Sequence, residues 1–271
     1  MSMPHFPLNI AHRGARSLAP ENTIAAARQA VQNGADMWEL DVTITADGEL
    51  IVLHDDTLNR TTNVAAVFPD RSPWNAHTFL FDEIRELDAG SWFVAQDPFG
   101  QIASGAVSKE DCESYSGEKI PTLEEALLFT REHDWQVNIE IKDTGNAPGS
   151  GIIVERVLYL IRKLDMAERV MISSFKHSYL IRSKQMSPYI KTAALVALPT
   201  MFAARKLTQM HAEAYHPRHG AISSYRIKAL QDRGFAVNVW TVNEERDLAR
   251  YIAWGVDGLI TDFPQRLQAM K

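Results

Sequence analysis

Short apolar runs alternate with amphipathic stretches along most of the chain. LNIAH at residues 8–12 precedes TIAAARQAVQN, a helical pattern closed by Gly34 at the position after the C-cap, where glycine is favoured. MWELDVTI, the turn ADGE and LIVLHD follow. QVNIEIK then precedes IIVERVLYLIRKL, RVMISSF precedes HSYLIRSKQM, and IKTAALVAL precedes a helix expected to start at Pro199-Thr200. AVNVWTVN precedes EERDLARYIAWG, and DGLITD precedes a helix opened by Pro264. Apolar strands in a βαβα rhythm predict a parallel sheet covered by helices. Eight or nine such units favour an α/β TIM (β/α)8 barrel over an open sheet. The candidate strands slightly exceed eight. ELDVTITADGELIVLHD accommodates a hairpin, which would make one segment a side arm and not a stave.

One stretch breaks the rhythm. Residues 57–119 contain no clear strand–helix pair, but they carry Pro69, Pro73, Pro98, Trp74, Phe79, Phe81, Trp92 and Phe93. This is too long and too aromatic for an ordinary loop, and it reads as a subdomain inserted after the His54-Asp55 strand within a single domain spanning residues 1–271. The barrel pattern resumes at IPTLEEAL, where Thr122 and Glu125 form the sequence signature of a capping box.

Polar residues gather where the strands end. His12-Arg13 ends the first strand and His54-Asp55 ends LIVLHD. Glu39 and Asp41 lie two apart on one strand, as do Glu140 and Lys142 on another, so each pair faces one side. Ser173-Ser174 ends VMISS, and Trp240 and Asn243 end VNVWTVN. In a parallel barrel these ends converge on one rim, where barrel active sites lie. Taken singly, each has a structural explanation: a solvated histidine, a surface ion pair, a packing tryptophan. Taken together they do not. Inward carboxylates at Glu39, Asp41 and Glu140 would be costly without partners and would repel one another, so they call for a cation. An all-oxygen donor set suits Mg2+, Ca2+ or Mn2+ and argues against Zn2+. His216 and His219 read as loop histidines with no assigned role.

Composition narrows the class. The chain has 271 residues, 45% of them hydrophobic, and a net charge of −6 with no long basic run, so nucleic acid is not an expected partner. Cys112 is the only cysteine, which leaves no intrachain disulfide and no thiolate cage. MSMPHFPLNIAHRG has no charged start leading into an apolar stretch, and no segment approaches the roughly 20 apolar residues of a membrane span. The expectation is a cytoplasmic protein with no stable membrane association.

The motifs HRG at His12, PENT at Pro20, ELDV at Glu39, LHD at Leu53, PTL at Pro121, EIK at Glu140, SF at Ser174, WTVN at Trp240 and TD-P ending at Pro264 run in order through nearly the whole chain. In this set the sequence resembles the glycerophosphodiester phosphodiesterases. The resemblance implies a TIM barrel with a small insertion after the His-Asp strand. It also implies hydrolysis of a small-molecule glycerophosphodiester to sn-glycerol 3-phosphate and an alcohol. His12 and His54 would be the acid–base pair, with Glu39, Asp41 and Glu140 as metal ligands. Arg13 and Lys142 would bind phosphate, and Trp240 is counted with them as a substrate contact. Which histidine is the acid, and whether the attacking group is the glycerol 2-hydroxyl or water, stay open, as does a homo-oligomeric state. The alternatives are a phosphodiesterase acting on lysophospholipids or phosphoinositides, and a non-catalytic binder of the same diesters.

Overall fold

The computed structural model describes residues 6–145, 147–198 and 200–271. Nine strands form one sheet: β1 Leu8–Ala11, β2 Met37–Ile44, β3 Leu50–Val52, β4 Gln136–Ile141, β5 Val170–Ser174, β6 Lys191–Val196, β7 Ala214–Pro217, β8 Ala236–Val239 and β9 Gly258–Thr261. Eight of them close into a parallel barrel. β1 pairs with β2 on one side, through Ile10↔Met37, and with β9 on the other, through Ile10↔Ile260. The remaining strand, β3, pairs antiparallel with β2 alone, through Val42↔Val52 and Ile44↔Leu50. It is the side arm of a hairpin, as the excess of candidate strands suggested.

Helices alternate with the staves, and their caps follow the sequence. Thr23 caps the helix Ile24–Gln32 by accepting from the Ala26 N–H, and Thr122 and Glu125 form a reciprocal capping box on Leu123–Glu132. The apolar core lies mainly between staves and helices, around Trp38, Leu40, Ile139 and Ile172, all buried. A smaller apolar group, Ile10, Met37 and Ile260, lies inside the barrel beneath its mouth.

Residues 57–119 contain no strand of the sheet. Their α-helices are short: Val64–Val67, Phe81–Glu86, Ser91–Gln96 and Lys109–Tyr115. Leu58, Phe79, Ile84 and Leu87 build an apolar cluster here that takes in Ile51 and Leu53 from the hairpin and its exit. The far end of the segment returns to the barrel, where Phe99 packs edge-on against Phe263 at 5.6 Å and the Tyr115 hydroxyl donates to the Leu18 carbonyl at 3.0 Å.

Three sequence expectations are corrected. AYHP, read as loop, is stave β7. The helix expected from Pro199-Thr200 runs Ala203–Met210, and Pro199 itself lies outside the described residues. The strand expected through AVNVWTVN ends at Val239. Among the described residues no helix is long and apolar enough to cross a membrane.

Candidate active site

The chain leaves β1 through His12 and turns at once. Arg13 (φ 55°) and Gly14 (φ 79°) both take left-handed backbone conformations, and a Cβ on Gly14 would lie 2.7 Å from the Ala26 backbone, so only glycine fits. The segment before the first helix is the scaffold for this turn. Glu21 accepts from Arg13 Nη1 at 2.7 Å and from Arg60 Nη2 at 2.7 Å, and it forms an ion pair with Arg16 Nη2 at 2.7 Å. Burial pushes the Glu21 carboxyl upward, but the Arg60 hydrogen bonds and the charges of Arg13 and Arg16 outweigh it and lower its pKa to about 2. Asn22 donates from Nδ2 to Asp41 Oδ2 at 2.9 Å and accepts the Asp41 N–H at 3.2 Å. Thr23 then starts the helix. The delay between first strand and first helix is the length of chain needed to anchor Arg13 and Asp41.

Each histidine is oriented by a carboxylate. His12 Nδ1 meets Asp262 Oδ1 at 2.6 Å, and Asp262 Oδ2 accepts from Asn243 Nδ2 at 2.7 Å. His54 Nδ1 meets Asp55 Oδ1 at 2.6 Å, and Arg60 Nε holds Asp55 Oδ2 at 2.5 Å. With Nδ1 engaged, Nε2 is the ring nitrogen left to serve a ligand. The two environments differ. The His12 side chain is 15% exposed and that of His54 is 32% exposed. Burial lowers the His12 pKa against the pull of Asp262, while Asp262, burial notwithstanding, is held down at about 2 by His12.

Glu39, Asp41 and Glu140 are all buried, and each offers an oxygen within 4.8 Å of the others. Their strands place them side by side: Asp41 pairs in register with Glu140, and Glu39 with Asn138. Lys142 Nζ lies 2.9 Å from Glu140 and 3.4 Å from Asp41, and Arg13 Nε lies 3.3 Å from Asp41. Burial would raise Asp41, but Arg13 and Lys142 hold it well below the usual carboxylate range. Among the described residues the Glu39 carboxylate accepts one hydrogen bond, from the Arg13 backbone N–H at 2.9 Å. Burial and repulsion from Asp41 and Glu140 push it well above its ordinary pKa. Three buried acids facing two cationic side chains lack one positive charge, and their oxygen donors fit a hard divalent cation.

These groups share one pocket of about 150 Å3. His12, Arg13, Glu39, His54, Glu140 and Lys142 form its polar side, and Phe175, Leu195, Trp240 and Ile260 its apolar side. Trp240 is held by its Nε1–H donating to the His216 carbonyl at 2.7 Å and by Phe175, edge-on at 5.4 Å. The structure therefore brings every sequence-predicted site residue to one rim, with Asp41 just behind the pocket wall. The sequence reading gave no role to Glu21, Arg60, Asp262, Asn243, Phe175 or Asn138, although Glu21, Asp262, Asn243 and Phe175 stand inside motifs it singled out. The His12–Asp262 contact spans 250 residues and exists only because the barrel closes.

His216 is not a loop histidine. It lies on β7, fully buried, and its Nε2 accepts from Asn238 Nδ2 at 2.9 Å. Burial alone lowers its pKa from 6.5 to about 3. The unfolded chain thus binds a proton that the folded chain refuses across that window, so stability falls as pH drops below 6.5. Wild-type protein is expected to lose about 2 kcal/mol between pH 6.5 and about pH 4.5 from this group. Urea melts of His216→Gln should show a correspondingly shallower pH slope; an unchanged slope would place the acid sensitivity elsewhere. His219 lies beyond β7, with Nε2 3.4 Å from Asp247.

Comparison with known proteins gives a consistent picture. The sequence profile of the Glycerophosphoryl diester phosphodiesterase family matches residues 12–266. A glycerophosphodiester phosphodiesterase of Caldanaerobacter subterraneus subsp. tengcongensis is 37% identical over 265 residues, covering 96% of each chain. One from Bacillus altitudinis is 34% identical, covering 94% of each. Among solved structures, an Oleispira antarctica phosphodiesterase in complex with the product sn-glycerol-3-phosphate superposes with a TM-score of 0.78 at 27% identity, covering 96% of this chain and 94% of that one. A glycerophosphodiester phosphodiesterase from Agrobacterium tumefaciens gives 0.71 at 28% identity, covering 96% and 98%. By the family match and by end-to-end identity with these relatives, the chain belongs to the glycerophosphoryl diester phosphodiesterase family and is an enzyme of phosphodiester hydrolysis.

Proposed function

We propose that the chain hydrolyses sn-glycerol-3-phosphodiesters to sn-glycerol 3-phosphate and an alcohol, with His12 and His54 moving the protons. The observation that carries this reading is the pairing of two carboxylate-oriented histidines with an anion-binding wall in one pocket. The product held by the Oleispira antarctica relative supports the same product here.

A phosphodiester is an anion, and it gains negative charge on its non-bridging oxygens as it reacts. Arg13 and Lys142 stand where that charge develops, one as a planar fork and one as a point charge. Glu39, Asp41 and Glu140 would hold a divalent cation, which when bound supplies further neutralisation of the phosphoryl oxygens. Buried His12, held neutral, takes the nucleophile's proton at Nε2, while Asp262 steadies the imidazolium that forms. His54, nearer solvent, gives a proton from Nε2 to the departing alkoxide, and Asp55 with Arg60 fixes its ring. The apolar wall of Phe175 and Trp240 takes the carbon skeleton. Residues 57–119 act as an inserted subdomain that braces the His54 arm through Arg60 and the apolar cluster around Leu53.

The reading is tested by incubating the protein and a divalent cation with glycerophosphocholine, glycerophosphoethanolamine, glycerophosphoinositol and a lysophosphatidylcholine. Release of sn-glycerol 3-phosphate from the first three is expected. Turnover of the lysolipid alone would move the function to lipid substrates, and binding without turnover would mark a non-catalytic binder.

A further inference from the structure

One polar group in the pocket is left unused by this mechanism. Asn138 lies on β4 in the same inward-facing row as Glu140 and Lys142. Its side chain lines the pocket and is 1% exposed, and among the described residues neither Nδ2 nor Oδ1 has a hydrogen-bond partner. A buried amide with both polar atoms unpaired is costly unless something brought in from outside satisfies it. Its in-register neighbours are Glu39 on β2 and Met171 on β5, and neither pairs with the amide, so the partner has to come from the pocket contents.

We propose that Asn138 reads the terminal hydroxyl of the substrate's glycerol. The inference rests on the proposed function and adds the direction in which substrate lies. The pocket is not symmetric in depth. His54 marks its more open end, while Asn138 lies deeper along β4, two residues before Glu140, or about 6.6 Å along a strand. In extended sn-glycerol 3-phosphate the phosphorus and the terminal oxygen are separated by five bonds, roughly 6 Å from ordinary bond lengths. Lys142 Nζ reaches back to Glu140 at 2.9 Å, so a phosphoryl group held there, at the level of Glu140, brings the far hydroxyl of its glycerol to the depth of Asn138. The chemistry matches as well. An amide presents a donor and an acceptor, and an alcohol answers both, whereas a phosphate oxygen would only accept and would leave Oδ1 unpaired. With the glycerol directed inward, the second alcohol of the diester points toward the mouth and toward His54. Asn138 is thus a specificity-determining residue for the half of the substrate that all glycerophosphodiesters share.

The test is a cycle of two enzymes and two substrates. Wild type and Asn138→Ala are assayed on glycerophosphocholine and on the phosphocholine ester of propane-1,2-diol, which lacks only the terminal hydroxyl. Loss of a hydrogen bond that pairs a buried amide is expected to lower wild-type kcat/KM by about 10- to 100-fold on the deoxy substrate. Asn138→Ala should lose a similar factor on glycerophosphocholine and nothing further on the deoxy substrate. Calorimetry gives a second readout: the variant should bind sn-glycerol 3-phosphate about 10- to 100-fold more weakly while its affinity for inorganic phosphate is unchanged. If Asn138→Ala does not fold, Asn138→Ser takes its place in both measurements. Equal losses on the two substrates, or equal weakening of both ligands, would show that Asn138 holds only water or structure and would overturn the inference, leaving the activity intact. A wild-type enzyme that turns over neither diester would overturn the functional reading itself, and this inference with it.

Discussion

Alanine at His54 is expected to cut turnover of glycerophosphocholine by about 10²–10⁴-fold, the usual scale of acid–base catalysis. Most of that loss should return when the leaving group is 4-nitrophenol. A departing choline alkoxide is strongly basic and needs a proton as it leaves; a nitrophenolate does not. Alanine at His12 should cause a loss of the same size that the better leaving group does not repair, because the nucleophile still needs a base. The distinction follows from position: His12 is the more enclosed of the two, and His54 stands nearer the mouth. Neither substitution touches the apolar core, so thermal melts should move little. Rescue of His12→Ala and not of His54→Ala would reverse the assignment, and near-normal turnover in either variant would show that histidine to be structural.

Removal of divalent cations is expected to lower activity on the order of 10³-fold, since stabilising transition-state charge is worth several kcal/mol. Mg2+, Mn2+ or Ca2+ should restore it. The structure also dictates a readout independent of turnover. Glu39 is the acid of the trio with no side-chain ion pair among the described residues, the Arg13 charge does not offset its burial, and its neighbours repel it. Added cation should therefore raise the melting temperature of stripped protein in a concentration-dependent way. Glu39→Gln should abolish that rise while making the stripped protein no less stable, because a repulsive charge has gone. Full activity after exhaustive chelation, or a cation-induced rise that survives in Glu39→Gln, would sink the metal assignment.

Much of this site was legible from residue order because it consists of strand ends. A strand reports its own direction and parity, so Glu39 with Asp41, and Glu140 with Lys142, could be placed on one face before any partner was known. The surplus candidate strand could be read as a hairpin arm because ADGE supplies the turn. What stayed hidden depends on closure or on composition. Asp262 orients His12 from just past the last stave, and nothing local ties the two. Stave β7, Ala214–Pro217, holds a histidine and a proline and no β-branched residue, whereas every other stave has at least one. Asn138 reads as the polar step of an alternating strand; its significance comes from having no partner, which only three dimensions reveal. Glu21 looks like part of a helix approach, and its three arginines converge from separate positions along the chain.

The two histidines are mounted differently. His12 continues a stave hydrogen-bonded on both sides, whereas His54 sits past the tip of a three-residue arm that pairs with β2 on one edge and is held on the other only by a short bridge to Pro121-Thr122. Further supports of that arm, Arg60 and the cluster around Leu58 and Phe79, belong to residues 57–119. That stretch is therefore a bracket for the arm that carries His54. If His54 is the proton donor proposed above, shortening the stretch would be felt first as a misplaced donor, with the barrel and Glu39, Asp41 and Glu140 still in place. Variation among such enzymes in this stretch would then tune the spacing of the two histidines, and with it the size of the alcohol that can leave between them.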